Sequence, residues 1–143
     1  MKVSDIMTKN VVKIRPEESV DVAARMLTHY NIGALPVCSE SGKLCGMVTD
    51  RDLVIRCMAA NKPAEDTRVR QIMTNRVLSV QPEMDASAAA QLMGSQQIRR
   101  LPVVENGKLC GMVTLGDIAS RKDGAADAAS ALTDITSNVQ KGV

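Results

Sequence analysis

Residues 42–49 read Gly-Lys-Leu-Cys-Gly-Met-Val-Thr, and residues 107–114 repeat the same eight. An octapeptide that recurs unchanged means the chain is built from copies of one unit, so only folds that place such a unit twice remain open. The register extends outward from it. Ile6-Met7-Thr8 matches Ile72-Met73-Thr74, Pro16-Glu17 matches Pro82-Glu83, and Leu35-Pro36-Val37 matches Leu101-Pro102-Val103. The offset is 66 up to the turn near residue 40 and 65 beyond it, so one loop residue separates the copies.

Each copy reads in the same order. A short helical turn (Ser4–Met7; Arg70–Met73) leads into a β-rich segment, Val11–Ile14 or Val77–Val80, which Pro16 or Pro82 ends. A helix follows, with apolar positions at Val20, Ala23, Ala24 and Leu27, and again at Ala86, Ala89, Ala90 and Met93. Ser19 and Asp85 stand where N-caps belong. A hairpin comes next: Ala34–Cys38 with Leu44–Thr49, and Arg100–Val104 with Leu109–Thr114. Asn106-Gly107 suits the positive φ angles of a two-residue turn. A last helix begins near Asp50 or Leu115.

The expected organisation is a first repeat over 1–58, a polar linker over 59–68 broken by Pro63, and a second repeat over 69–122. A helix and tail over 123–143 follow, with Ala128, Leu132 and Ile135 near helical spacing. The fold class is α/β (α+β): two β-α-β-β-α repeats packed sheet to sheet with pseudo-two-fold symmetry. One copy of about 60 residues buries too little surface to be comfortable alone. A shared core is therefore expected, with the cleft between copies as the default ligand site.

Composition excludes several classes. The 45% hydrophobic and 24% charged residues are those of a globular chain. A net charge of +2, with no Trp, no Phe and one Tyr, offers neither a basic stripe nor stacking aromatics for nucleic acid. No apolar run approaches the roughly 20 residues that span a bilayer, and the amino terminus does not resemble a signal peptide. A cytoplasmic protein is expected. Four cysteines without a Cys-x-x-Cys pair, and His29 as the single histidine, do not suit a structural metal. Cys45 and Cys110 read as small buried side chains. Cys38 and Cys45 flank a turn and could approach, with free thiols expected. His29, near a helix end, reads as a capping or surface residue. No positioned nucleophile or paired carboxylates suggest catalysis.

The order strand–helix–strand–strand–helix, the Leu-Pro-Val strand and the Gly-hydrophobic-x-Thr-x-x-Asp ending resemble the CBS domain, twice over residues 1–120. The tandem is similar to a CBS pair, or Bateman module, of the small stand-alone kind. The resemblance implies a regulatory module that binds AMP, ADP, ATP or S-adenosylmethionine between the repeats, pairs into a disc-shaped homodimer and signals to a separate effector protein.

The resemblance also assigns residues. Asp52 and Asp117 would each hold a ribose diol, because one carboxylate can accept two hydrogen bonds. Thr49 and Thr114 would donate to ribose or phosphate, while Gly46 and Gly111 would admit a ligand close to the backbone. Arg99, Arg100 and Arg51 are the phosphate candidates. The adenine pocket would be apolar, drawn from Val11, Val12, Ala34, Leu35 and Pro36 in one copy. Its counterpart would come from Val77, Leu78, Leu101 and Pro102, with the backbone near Val11 and Val77 meeting the adenine edge. A second reading stays open, because Thr-x-x-Asp at the start of a helix is also a capping box that needs no ligand. Under it the protein is a ligand-independent scaffold dimer with empty clefts.

Overall fold

The computed structural model describes residues 1–141, with side chains to residue 137. The elements in chain order are α1 (Val3–Ile6), α2 (Val20–Tyr30), β1 (Ala34–Cys38), β2 (Leu44–Thr49) and α3 (Asp50–Asp52), which runs on as a π-helical turn over Leu53–Met58. Then come α4 (Val69–Ile72), α5 (Ala86–Gln96), β3 (Arg100–Glu105), β4 (Lys108–Thr114), α6 (Leu115–Ala119) and α7 (Ala125–Lys141). The strands form two antiparallel hairpins, β1–β2 and β3–β4. Asn106 and Gly107 have φ of 53° and 79°, as the short second turn requires.

The chain divides into two units whose boundaries cross the repeats. One unit holds Val12–Val77 with Gly107–Leu109 and is called here the β1–β2 unit. The other, the β3–β4 unit, holds Met1–Val11, Leu78–Asn106 and the chain from Cys110 onward. Each lead segment therefore belongs with the hairpin of the other repeat. In the β3–β4 unit, Val3 N donates to Met84 O (2.9 Å), and Ala86 N at the start of α5 donates to Met1 O (2.8 Å). In the β1–β2 unit, Val69 N donates to Glu18 O (2.8 Å), and Val20 N at the start of α2 donates to Thr67 O (2.9 Å). The linker is thus a capping element, supplying a carbonyl to an otherwise orphan helical N–H.

Caps and strands differ from expectation in two places. Ser19 Oγ accepts from Val22 N at 3.2 Å, but Asp85 makes no side-chain cap bond. Its Oδ1 lies 3.8 Å from the amino-terminal ammonium instead, drawn to the charge that Met1 brings to the helix end. The expected strands Val11–Ile14 and Val77–Val80 shrink to single parallel bridges, Ile14 with Val37 and Val80 with Val103. Ile14 N donates to Pro36 O (3.0 Å) and accepts through its carbonyl from Cys38 N (2.9 Å). The next rung would need an N–H from Pro36, which has none, so the ladder stops; Pro102 ends the Val80 bridge in the same way.

Hydrophobic burial follows the units. Ile14, Val20, Ala23, Leu27, Leu35, Val37, Val48, Val69 and Ile72 form one cluster. Val3, Val80, Ala89, Ala90, Met93, Leu101, Val103, Val113 and Ile118 form another, and α7 adds Ala128, Ala131 and Ile135 to it. The single shared core expected from the repeat length is two clusters, each completed by a lead segment. Leu132 of α7 is exposed rather than packed. The four thiols are free, but Cys38 and Cys57 are the buried ones, while Cys45 and Cys110 are half-buried. The reason is register: Cys45 and Cys110 alternate with the inward residues of β2 and β4. Burial pushes the Cys38 thiol up despite Lys13 nearby, and burial with Glu105 and Glu83 does the same at Cys110. Both are therefore poor nucleophiles.

Candidate functional site

The repeated Gly-Met-Val-Thr strand meets the lead segment first. In the β1–β2 unit, Met47 N donates to Thr74 O (3.0 Å) and Thr74 N to Met47 O (2.8 Å). In the β3–β4 unit, Met112 and Thr8 exchange the same pair at 3.0 and 2.8 Å. The glycine before each methionine makes this approach possible. A Cβ on Gly46 would stand 2.6 Å from Thr74 O and 2.9 Å from Met73 Sδ. On Gly111 it would stand 2.7 Å from Met7 Sδ and 2.9 Å from Thr8 O. The Cβ side of both glycines is filled by the chain itself. Gly46→Ala should therefore lower the unfolding free energy by about 1–3 kcal/mol, an overpacking cost, with urea denaturation as the measurement. Unchanged stability would show that Thr74 and Met73 can move aside.

Immediately downstream, each strand ends in a capping box. Thr49 Oγ1 accepts from Asp52 N (3.1 Å), and Asp52 Oδ2 accepts from Thr49 N (2.9 Å). Thr114 Oγ1 accepts from Asp117 N (3.0 Å), and Asp117 Oδ2 accepts from Thr114 N (2.8 Å). These bonds use one oxygen of each carboxylate and leave each threonine proton free to donate. No buried side-chain oxygen among the described residues lacks a partner, so the Oδ1 of each aspartate, which takes no part in the cap, is not wholly sealed from solvent.

The two boxes are not equivalent. Asp52 is 9% exposed, and its Oδ1 is 3.8 Å from Arg56 Nε. Arg56 Nη1 in turn donates to Ile72 O and Met73 O, both at 3.2 Å, which ties the helix to the lead segment. Arg121 occupies the matching position and donates Nη2 to Asp5 O at 3.4 Å. No ion pair involves Asp117 among the described residues, and its carboxylate is half-buried. Both arginines were legible as a repeat match at offset 65, but Arg56 stands in the π-helical turn and Arg121 just past the end of α6, where no motif drew attention to them.

Arg99 and Arg100 are exposed, and they line one groove of about 430 Å³ with Thr114, Gly116, Ala129 and Leu132. Arg99 is held in place by its own carbonyl, which accepts from Leu115 N at 2.8 Å. Asp117 is not among that groove's lining residues. Arg51 is exposed at the position matching Gly116.

The apolar candidates separate by burial and by unit. Leu35 and Leu101 are 0% exposed, and Pro36 and Pro102 are buried, so these four are core rather than pocket lining. Val12, Ala34 and Val77 are half-buried within the β1–β2 unit; Val11 is half-buried and Leu78 exposed within the β3–β4 unit. The sequence grouping is thus reversed at two positions. Val11 falls with Thr114 and Asp117, and Val77 with Thr49 and Asp52, because each lead segment joins the opposite hairpin. Val11 N already donates to Lys9 O (3.1 Å), so it is not the free donor expected for an adenine edge. His29 lies in the last turn of α2, exposed, with its ring edge-on to Tyr30 at 4.8 Å.

Two lead-segment, hairpin and capping-box sets of this kind can be compared with known proteins. The CBS-domain family model matches residues 3–58 and again 69–124. This chain belongs to the CBS-domain family. It is 40% identical over 134 residues to the CBS domain-containing protein YhcV of Bacillus subtilis, covering 94% of both chains. Among solved structures, CBSX2 in complex with AMP superposes with a TM-score of 0.74 at 31% identity, covering 83% of this chain and 93% of that one. The CBS domain pair of MJ0100, in complex with methylthioadenosine and S-adenosylmethionine, gives a TM-score of 0.74 at 30% identity, covering 84% and 94%. CBS-pair proteins are regulatory modules, and the adenosine ligands named are those of the two neighbours. No helix among the described residues is long and apolar enough to cross a membrane.

Proposed function

We propose that this CBS pair is a sensor of adenosine-containing nucleotides, AMP, ADP, ATP or S-adenosylmethionine, working as a homodimer that signals to a separate effector protein. The observation that carries the reading is the Oδ1 of half-buried Asp117, left over from its cap, on a junction whose Thr114 shares a groove with Arg99 and Arg100. A spare carboxylate oxygen suits a ribose diol, the free Thr114 proton suits ribose or phosphate, and the two guanidinium groups suit phosphate. The Asp52 junction has the same parts without the arginines, since Gly33 and Ala34 stand in their places. Phosphorylated ligands therefore favour the Asp117 junction, whereas a ligand without phosphate should discriminate less between the two.

Titration calorimetry with the four ligands tests the proposal. The expected result is saturable binding of at least one, with a nucleotide preferred to adenosine alone. Silence from all four, in folded protein shown free of co-purified nucleotide, refutes it. That outcome would favour the scaffold reading, which draws its support from the fact that both aspartates already serve as caps.

A further inference from the structure

The β3–β4 unit has a groove whose lining is not reproduced in the β1–β2 unit, and α7 forms one side of it. Ala128, Ala131 and Ile135 are buried where α7 packs on α5 and α6. One step round the helix, Ala125, Ala129 and Leu132 stand at i, i+4 and i+7 and are exposed. These three line the groove of about 430 Å³ that also holds Arg99, Arg100 and Thr114. By repeat register, Gly33 and Ala34 replace the arginines in the β1–β2 unit, and Arg51 and Val54 replace the small Gly116 and Ala119. α7 itself is not repeated.

The lining dictates what fits. Arg99 and Arg100 are exposed neighbours, and neither forms an ion pair among the described residues. Two uncompensated guanidinium groups favour an anion, and their planar forks suit phosphate oxygens. The rest of the lining is apolar apart from the Thr114 hydroxyl. A ligand that satisfies both carries phosphate at one end and a flat apolar surface at the other, which describes a mononucleotide. Leu101 and Pro102, expected to hold the base, are buried in the core, whereas the α7 edge is open. The groove also has the size of a small-molecule site, about 300–1,000 Å³.

We propose that the exposed edge of α7, Ala125, Ala129 and Leu132, is the surface on which the base of a phosphorylated nucleotide lies, with its phosphate on Arg99 and Arg100. This site rests on the sensor reading above, and narrows it to one nucleotide per chain and to AMP, ADP or ATP. Binding then fixes α7. The helix meets α5 through small residues: a Cβ on Gly94 would stand 3.1 Å from Ala131 Cα. Glycine and alanine pack closely but contribute little apolar area, so the helix is lightly held. A nucleotide that needs the docked helix stabilises docking in proportion to its concentration over its dissociation constant. The seating of α7 therefore reports the ligand.

Calorimetry and hydrogen exchange on the full chain test the site, with AMP, ADP, ATP and S-adenosylmethionine as probes. The tightest phosphorylated ligand should bind once per chain. At a hundred times its dissociation constant it should slow amide exchange over residues 128–135 by up to about a hundredfold. Ala129→Glu should weaken it by about tenfold or more, because the new carboxylate competes with phosphate for the arginines. Ala129→Gln, of equal size without the charge, should lose less. Ala126→Glu, exposed and outside the groove, should bind as wild type. Wild-type affinity in Ala129→Glu overturns the α7 site and leaves the sensor reading standing, as does binding of S-adenosylmethionine alone. A second nucleotide per chain overturns the single site, and unchanged exchange in α7 overturns its fixing by ligand. Silence from all four probes takes down the sensor reading and this site together.

Discussion

Asp117→Ala should weaken nucleotide binding by at least about a hundredfold, while Asp52→Ala should weaken it less. A hydrogen bond to a charged acceptor is worth about 1.5–3 kcal/mol, and a diol would make two such bonds to the carboxylate. The same substitution removes the bond from Thr114 N to Asp117 Oδ2 (2.8 Å), so a stability loss of about 0.5–2 kcal/mol should accompany it. Asp117→Asn separates the two roles. Its amide oxygen can keep accepting from Thr114 N, but the other position then carries an NH2 group that cannot accept from a hydroxyl. Asp117→Asn should therefore hold stability close to wild type and still lose affinity. The ranking over Asp52 comes from surroundings: Arg99 and Arg100 flank the Thr114 groove, whereas Asp52 Oδ1 is 3.8 Å from Arg56 and its side chain is nearly enclosed. Calorimetry and urea unfolding on the same preparations decide the matter. A cap-sized stability loss with intact affinity would reduce Asp117 to a structural residue.

The repeat made most of this architecture legible, because matched octapeptides, matched Leu-Pro-Val strands and matched helical spacing locate both hairpins and their helices. It could not reveal which lead segment serves which hairpin. Ile6-Met7-Thr8 and Ile72-Met73-Thr74 are alike, so either could pair with either Gly-Met strand, and the exchange depends on the path of the chain rather than on any local preference. The same gap hid that Val11 and Val77 fall in the unit of the opposite hairpin, and that Thr74 and Thr8 stand where a Cβ on Gly46 or Gly111 would lie. The capping boxes were readable as a pattern. That one oxygen of each carboxylate remains free was not, since it depends on side-chain geometry. Asp85 shows a subtler limit: it has the right residue type at the right position, but the amino terminus competes for its charge.

Leu101→Ala should cost about 2–5 kcal/mol of stability, the range for truncating a buried leucine and leaving part of its cavity unfilled. Leu101 is 0% exposed in a cluster with Met93, Val113 and Ile118, which α7 helps to seal, so little nearby is free to collapse into the gap. Leu35→Ala in the β1–β2 unit should cost a similar amount, because Leu35 is equally enclosed. Against a total stability of about 5–15 kcal/mol for a small domain, such a loss is readily seen in a urea midpoint. The pair also tests whether these leucines line an adenine pocket or only hold up the strand behind it. If they are core, nucleotide affinity measured where the variant is still fully folded should match wild type. A tenfold loss of affinity in folded Leu101→Ala would put the side chain in contact with ligand. That contact would require β3 to open, since the structure leaves Leu101 no exposed surface.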